Sequence, residues 1–146
     1  MRETTRFADT VARIVDAAGQ GEAYRTAGHF HIKIENGAYM PLVIESWPSE
    51  MYPGRRTVSV AHYYEAAGDL VPDPEVEMVD AGYPIGLRQI NSYTRCMWRA
   101  YDDGRLLVDL RAKREVMSLM AMWGRNLVAQ RFIQAAKRMA SAVWPA

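Results

Sequence analysis

The chain has 146 residues, 49% of them apolar and 24% charged, and a formal net charge of +1 at pH 7. This length and composition predict one folded domain over residues 1–146 and exclude a chain that is disordered beyond its ends. The single cysteine, Cys96, excludes an internal disulfide and a zinc site built from several thiolates, which fits a reducing cytoplasm. The first ten residues lack the apolar stretch of a signal peptide, and no apolar run is long enough to predict a membrane span.

The first segment is predicted to be a helix, because five apolar residues recur on one face at the helical period. These residues are Phe7, Val11, Ile14, Val15 and Ala18. Thr4 or Thr5 is expected to cap the start of this helix, and Gly19 with Gly21 is expected to end it.

Residues 28–46 are predicted to form a β-hairpin, because apolar and polar residues alternate in the segment HFHIKIE. The apolar face of this first strand consists of Phe30, Ile32 and Ile34. Asn36-Gly37 is a strong signal for a tight hairpin turn, and residues 42–44 provide the returning strand.

Two histidines on the polar face of this hairpin are candidate metal ligands. His29 and His31 are two residues apart on a strand, so their side chains point to the same side of the sheet. With an acidic residue from a neighbouring strand they could bind a divalent cation, but an exposed polar face is the preferred explanation. We therefore predict no metal ligand and no cofactor.

The third strand is predicted over residues 57–65, where alternate residues, His62 among them, share a largely apolar face. It runs into the segment HYYEAAGDLVPDPE at residues 62–75, in which acids, tyrosines, prolines and a histidine are crowded together. Gly68-Asp69 is expected to turn the chain, and the residues up to Glu75 are expected to continue irregularly. This segment is therefore predicted mainly to end the strand and redirect the chain.

Further strands are predicted at four places, which are residues 75–80, 85–90, 93–101 and 106–110. Residues 112–143 are predicted to form one long helix with a bend near Gly124. The predicted fold class is therefore α+β, with a mainly antiparallel sheet of five to seven strands flanked by an N-terminal helix and a long C-terminal helix. Residues 134–146 are a candidate helical extension of this domain.

Four residues of the segment 62–75 form a candidate polar cluster, namely His62, Tyr64, Asp69 and Asp73. A histidine and carboxylates in one cleft would serve an acid–base enzyme or a metal-dependent one. Strand periodicity divides these groups between two faces and a turn, and carboxylates beside glycine and proline usually accept backbone N–H groups. We therefore prefer structural roles and predict no catalytic residue. Cys96 lies in a strand-like run without an evident base, which favours a buried structural thiol.

Positive charge is concentrated in the last quarter of the chain, where seven of the 18 basic residues but only one of the 17 acidic residues lie. The candidate binding residues of this region are Arg114, Arg125, Asn126, Gln130, Lys137 and Arg138. The cations could neutralise nucleic-acid phosphates, and Asn126 with Gln130 forms an amide pair on one helical stripe. A net charge of only +1 favours a solvated helix face, whose positive charge balances the negative charge of the first 110 residues.

Three segments carry a resemblance to a known family: HIKIENGAYMPLVIE (31–45), SVAHYYEAAGDLVPDPEVEM (59–78) and MWGRNLVAQRF (122–132). Together they resemble an uncharacterised domain family of small bacterial, plasmid and phage proteins. The resemblance covers most of the chain and is most specific around HYYEAAGDLVPDPE. It implies a mobile-element or accessory context, and it assigns no activity or catalytic residue.

The leading hypothesis is a small cytoplasmic binding protein that is not an enzyme and acts by stoichiometric binding to a protein partner, with host defence machinery as one class of partner. It rests on missing catalytic motifs, on the split charge and on aromatic residues expected at the surface, namely Trp47, Tyr52 and Trp144. The alternative is a nucleic-acid-binding accessory protein that uses the basic C-terminal helix. A metal-dependent or histidine–aspartate enzyme ranks third, no membrane partner is expected, and a homo-oligomer is left open.

Overall fold

The structure is a computed structural model that describes residues 5–143, and over this range the chain forms four helices and eight strands. The helices are α1 (Arg6–Ala17), α2 (Gly21–Thr26), α3 (Leu110–Ala129) and α4 (Phe132–Val143). The strands are β1 (Phe30–Asn36), β2 (Tyr39–Pro48), β3 (Arg56–Ala66), β4 (Asp69–Val79), β5 (Tyr83–Gln89), β6 (Ser92–Arg95), β7 (Met97–Arg99) and β8 (Leu106–Val108). The predicted α+β fold class is confirmed.

Strands β1 to β6 form one antiparallel sheet in which each strand pairs with its neighbours in sequence, and β7 and β8 form a separate pair. One row of paired residues crosses five strands of the larger sheet, and all of its members are buried: Ile32, Ile44, Val60, Val76 and Leu87. Helices α1, α3 and α4 pack against this face and share its apolar core. No helix of the described range is long and apolar enough to span a membrane.

Helix α1 and the β1–β2 hairpin form as their local patterns predict. The hydroxyl of Thr5 caps α1 by accepting a hydrogen bond from the Ala8 N–H at 3.2 Å, while Thr4 lies outside the described residues. All five residues of the predicted apolar face of α1 are buried. Gly19 follows the helix with a φ of +76°, a left-handed conformation that glycine adopts without steric cost.

The segment 62–75 contains more strand than predicted. Strand β3 continues to Ala66, the turn consists of Ala67 and Gly68, and β4 begins at Asp69. Both turn residues have positive φ values, 52° and 86°, which suit the tight hairpin turn that matches the twist of the strands. The expectation of an irregular segment before Glu75 is therefore wrong, because β4 pairs with β3 along this stretch and its irregularity is confined to one bulge.

The prediction of one helix over residues 112–143 is also wrong, because α3 ends before Gln130 and α4 begins at Phe132. Arg131 lies between them with a φ of 65°, a left-handed conformation that interrupts the helix. Gly124 does not break α3. A Cβ added there would lie 3.4 Å from the Phe7 ring, so this glycine lies where α3 passes close to α1.

Three smaller predictions differ from the structure. The strand predicted over 93–101 is divided at Cys96, whose N–H donates to the Ile85 carbonyl at 2.8 Å and whose carbonyl accepts from the Asp109 N–H at 2.9 Å. Leu110 begins α3 instead of extending a strand, because the Asp109 side chain caps that helix. The short helix α2 has no counterpart in the prediction, since six residues are too few to show a helical period.

The aromatic residues expected at the surface are less exposed than predicted. Trp47 and Tyr52 are both half-buried, and Tyr52 packs against a small apolar cluster formed by Val79, Ile85 and Met97. Trp144 lies outside the described residues. Exposed apolar side chains occur elsewhere, and those of Met122 and Val128 on α3 are 49% and 42% exposed.

The left-handed residue between α3 and α4 provides a test of the helix break. A side chain in this conformation costs roughly 1–2 kcal/mol, whereas glycine adopts it freely. We expect Arg131→Gly to raise the free energy of unfolding by about 1 kcal/mol relative to Arg131→Ala, as measured by urea denaturation. Equal values for the two variants would contradict the left-handed conformation at this junction.

Candidate functional site

A cleft of about 280 Å³ lies between the helix-covered side of the sheet and α3. The sheet contributes His62 from β3, Asp73 and Pro74 from β4, and Gln89 from the end of β5. The residues from α3 and its C-terminal cap are Leu119, Met122, Trp123, Asn126 and Gln130. These five residues recur at i, i+3, i+4, i+7 and i+11, a spacing that places them on one helical face.

A β-bulge shapes the sheet side of the cleft. The register between β3 and β4 shifts around His62, so that two residues of β4, Asp73 and Pro74, lie opposite this single residue. Such a bulge bends a strand and redirects its side chains. Asp73 Oδ1 accepts a hydrogen bond from the Ile90 N–H at 3.2 Å, which joins the bulge to the turn between β5 and β6. Asp73 therefore holds a backbone donor while its bulge forms one wall of the cleft.

His62 is enclosed at the base of the cleft and is only 8% exposed. Its ring lies between two aromatic rings, with centroid distances of 5.4 Å to Trp123 and 5.7 Å to Phe132. Burial lowers the pKa of His62, so the imidazole is neutral at pH 7. Its Nδ1 lies 3.2 Å from the Pro41 carbonyl oxygen, and a neutral ring makes this bond only by carrying its proton on Nδ1. Nε2 is then left as a hydrogen-bond acceptor.

Trp123 forms the apolar wall opposite the sheet. Its ring also contacts Phe7 of α1 at a centroid distance of 5.2 Å, so the wall is held by the core of the helical layer. The indole N–H is buried and has no acceptor among the described residues. A buried donor without a partner costs roughly 1–3 kcal/mol, which makes this atom an unusual feature of the cleft.

Four of the predicted candidate residues line this one cleft, although they come from two separate parts of the sequence: His62, Asp73, Asn126 and Gln130. Tyr64 lies instead in a neighbouring open groove beside the turn between β5 and β6. Asp69 is exposed at the start of β4, next to the β3–β4 turn. The predicted polar cluster is thus divided between three places on the molecule.

The candidate cations are exposed, and two of them border different grooves. Arg125 lines a groove between α1 and α3 together with Arg6. Arg138 lines a groove between α4 and β1. Arg114 on α3 and Lys137 on α4 lie on the surface, outside the cleft described above.

Other candidate chemistry lies away from the cleft. His29 and His31 are exposed on and beside β1, and no group of three or more His, Cys, Asp or Glu residues in the range 5–143 is arranged to hold a metal ion. Cys96 is fully buried, and burial raises the pKa of its thiol to about 11. Since the thiolate is the nucleophile, this thiol is inert near neutral pH.

Sequence reasoning missed several residues that line the cleft, namely Pro74, Gln89, Leu119 and Met122. A local signal exists for the helical pair, because Leu119 and Met122 share the spacing that joins Trp123, Asn126 and Gln130 into one face. Pro74 and Gln89 have no such signal, since their positions depend on the register between strands.

A family model described as a domain of unknown function (DUF6908) matches residues 9–133. The matched range includes every residue that lines the cleft. The resemblance to an uncharacterised domain family is confirmed by this match. No curated protein and no solved structure matches the chain.

The neutral state of His62 predicts a specific dependence of stability on pH. A lowered pKa means that the unfolded chain binds this proton more readily, so the stability is present above the ordinary pKa of about 6.5 and is lost as the pH falls through the folded value. We expect the free energy of unfolding to decrease from pH 7.5 to pH 5.5 by less in His62→Asn than in the wild type, as measured by urea denaturation. Asparagine keeps a donor for the Pro41 carbonyl but carries no titratable group.

His31→Asn is the matched control, because this histidine is exposed, and it should leave the pH dependence unchanged. Glu77 acts in the opposite direction, since burial raises its pKa and its contribution is lost as the pH rises. Parallel curves for His62→Asn and the wild type would show that His62 is not held neutral.

Proposed function

Because the chain belongs to the DUF6908 family of domains of unknown function, we propose its function from the cleft itself: it is a non-enzymatic binding protein that engages a protein partner stoichiometrically. The observation that carries this proposal is the lining of the cleft. Apolar walls from Leu119, Met122 and Trp123 surround neutral amide groups and a neutral imidazole, and the Asp73 carboxylate of the lining accepts the Ile90 N–H. This combination suits the recognition of an uncharged group by packing and hydrogen bonds.

The size of the cleft indicates what it holds. Its volume of about 280 Å³ lies near the lower limit of ligand pockets, which span roughly 300–1,000 Å³. One bulky apolar side chain of a partner would fill it, in the manner of the anchor residues that dominate protein interfaces. Gln89, Asn126 and Gln130 supply amide donors and acceptors for the backbone beside such an anchor. Half-exposed Met122 provides an adaptable rim.

The contacts of the two titratable residues support binding over catalysis. His62 donates Nδ1–H to the Pro41 carbonyl and is packed between two aromatic rings. Asp73 accepts the Ile90 N–H instead of orienting the histidine. An acid–base pair requires the two groups to reach each other or a shared substrate proton, and both have other partners here.

The proposal also states that the protein acts in the cytoplasm and that it is encoded by a mobile element or an accessory gene region. Host defence machinery is one class of partner that it could bind. Its support is the resemblance of the three sequence segments and the single cysteine, which fits a reducing compartment. Binding of nucleic acid through Arg114, Arg125, Lys137 and Arg138 is the alternative that the same experiment can separate.

Affinity capture from the native host with matched variants tests the role of the cleft. Met122→Glu places a charge at the rim of the cleft, and Val128→Glu places the same charge at a similarly exposed position on α3 beside the α1–α3 groove. We expect the partner protein, identified by mass spectrometry, to be captured by the wild type and by Val128→Glu. Capture by Met122→Glu should fall at least tenfold, since loss of an apolar anchor contact costs about 1–3 kcal/mol.

Nuclease treatment of the lysate separates the two classes of partner. Capture that survives nuclease but not Met122→Glu supports a protein partner in the cleft. Equal capture by all three proteins, or capture that nuclease abolishes, would contradict the proposal, and the latter would favour the basic residues.

A further inference from the structure

We propose that two copies of this chain form a dimer by pairing the outer edges of their β1 strands in antiparallel fashion. Strand β1 is one end of the six-stranded sheet, so among residues 5–143 only its β2 side is paired. The outer edge of such a strand presents unpaired backbone N–H and C=O groups that another strand can bind. The opposite end of the sheet is β6, which has only four residues, whereas β1 has seven. The longer edge offers the better surface for pairing.

A groove of about 390 Å³ runs beside this edge. Its lining consists of Lys33 and Glu35 from β1 and of Ala135, Arg138, Met139 and Ala142 from α4. The four helical residues recur at i, i+3, i+4 and i+7, so they form one flank of α4 that faces the edge. Ala135 and Ala142 are small, which lets the backbone of another element approach closely. The edge is thus bordered by a helix flank in which three of the four lining residues are apolar.

The charges on β1 match a second copy of the same strand. In an antiparallel pair centred on Ile34, Lys33 of each copy lies directly opposite Glu35 of the other. Both side chains lie on the solvent side of the sheet, where Lys33 is 54% exposed and Glu35 is 76% exposed. Within one chain, Lys33 Nζ lies 3.7 Å from Glu35 Oε1. Opposite charges at facing positions stabilise a strand pair, and like charges weaken it. The strand is therefore complementary to itself.

The register centred on Ile34 places the charges of the two strands more favourably than the neighbouring registers do. Pairing centred on Lys33 would bring the two Lys33 side chains together, and pairing centred on Ile32 would place Lys33 opposite His31. A shift by one residue in the pairing would also turn buried residues to the solvent side. The register centred on Ile34 is the one that places each Lys33 opposite a Glu35, and on the core side it sets Ile34 against Ile34 and Ile32 against Asn36.

The twofold axis of this dimer is perpendicular to the sheet, so the helices of both copies lie on the same side. The flank of α4 then meets the same flank of the partner's α4 across the axis, as an isologous interface requires. The two sheets continue into one another, and each copy covers the exposed edge of the other. A closed pair of this kind leaves no further long edge for open-ended association.

Charge reversal at Lys33 and Glu35 tests this register. Lys33→Glu carries two acids and Glu35→Lys carries two cations at the facing positions, so each variant alone repels itself. We expect each to raise the dissociation constant of the dimer by on the order of tenfold, measured by sedimentation velocity from about 1 to about 300 µM. An equimolar mixture of the two variants should form a heterodimer with an affinity near that of the wild type, because every facing pair is again complementary.

Glu65→Lys is the matched control, since Glu65 is exposed on β3, away from the edge, and it should dimerise like the wild type. Circular dichroism of each variant verifies that the fold is intact. The proposal would be overturned by a wild type that stays monomeric over this range, by reversal variants that dimerise normally, or by a mixture that remains monomeric.

Discussion

The structure depends on the register of one buried row of side chains across the sheet. Ile32, Ile44, Val60, Val76 and Leu87 lie side by side on five successive strands, and none is more than 7% exposed. Because successive residues of a strand point to opposite faces, a slip of one residue in any strand would move its apolar side chains into solvent. Helices α1, α3 and α4 can cover the sheet only while this row is intact. The same alternation decides the side of the sheet on which His62, Lys33 and Glu35 lie.

The cleft arises where this regular pattern is interrupted. His62 comes two residues after Val60 and so points to the same covered face, but β4 sets two residues against it instead of one. The bulge leaves a gap between the sheet and α3 that the rings of Trp123 and Phe132 only partly close. A histidine in that position is removed from water and stays neutral, with one nitrogen committed to a backbone carbonyl. The result is a small recessed surface of apolar and amide groups, which suits recognition better than proton transfer.

The same alternation determines what the free edge of the sheet offers. With Ile32 and Ile34 in the core, Lys33 and Glu35 must point to the solvent side of β1, beside the flank of α4. Their order along the strand makes the edge complementary to itself in one register. The cleft lies between α3 and the β3–β5 region, whereas the edge lies beside α4, so the two surfaces use different residues. Partner binding in the cleft and pairing of two copies are therefore compatible.

The sequence by itself determined the elements whose signals are local. The apolar stripe of α1 with its Thr5 cap, and the alternation around Asn36-Gly37, are complete within a few residues, and both elements form as predicted. Only the tertiary structure decided the path of β4, the break at Arg131 and the placement of His62 and Asn126 in one cleft. Strand pairing with β3 overrides the local turn tendency of its proline-containing segment, and Arg131 adopts a costly left-handed conformation because α4 then packs against α1 and β1. Contacts between residues distant in sequence supply those free energies, so no local pattern could predict them.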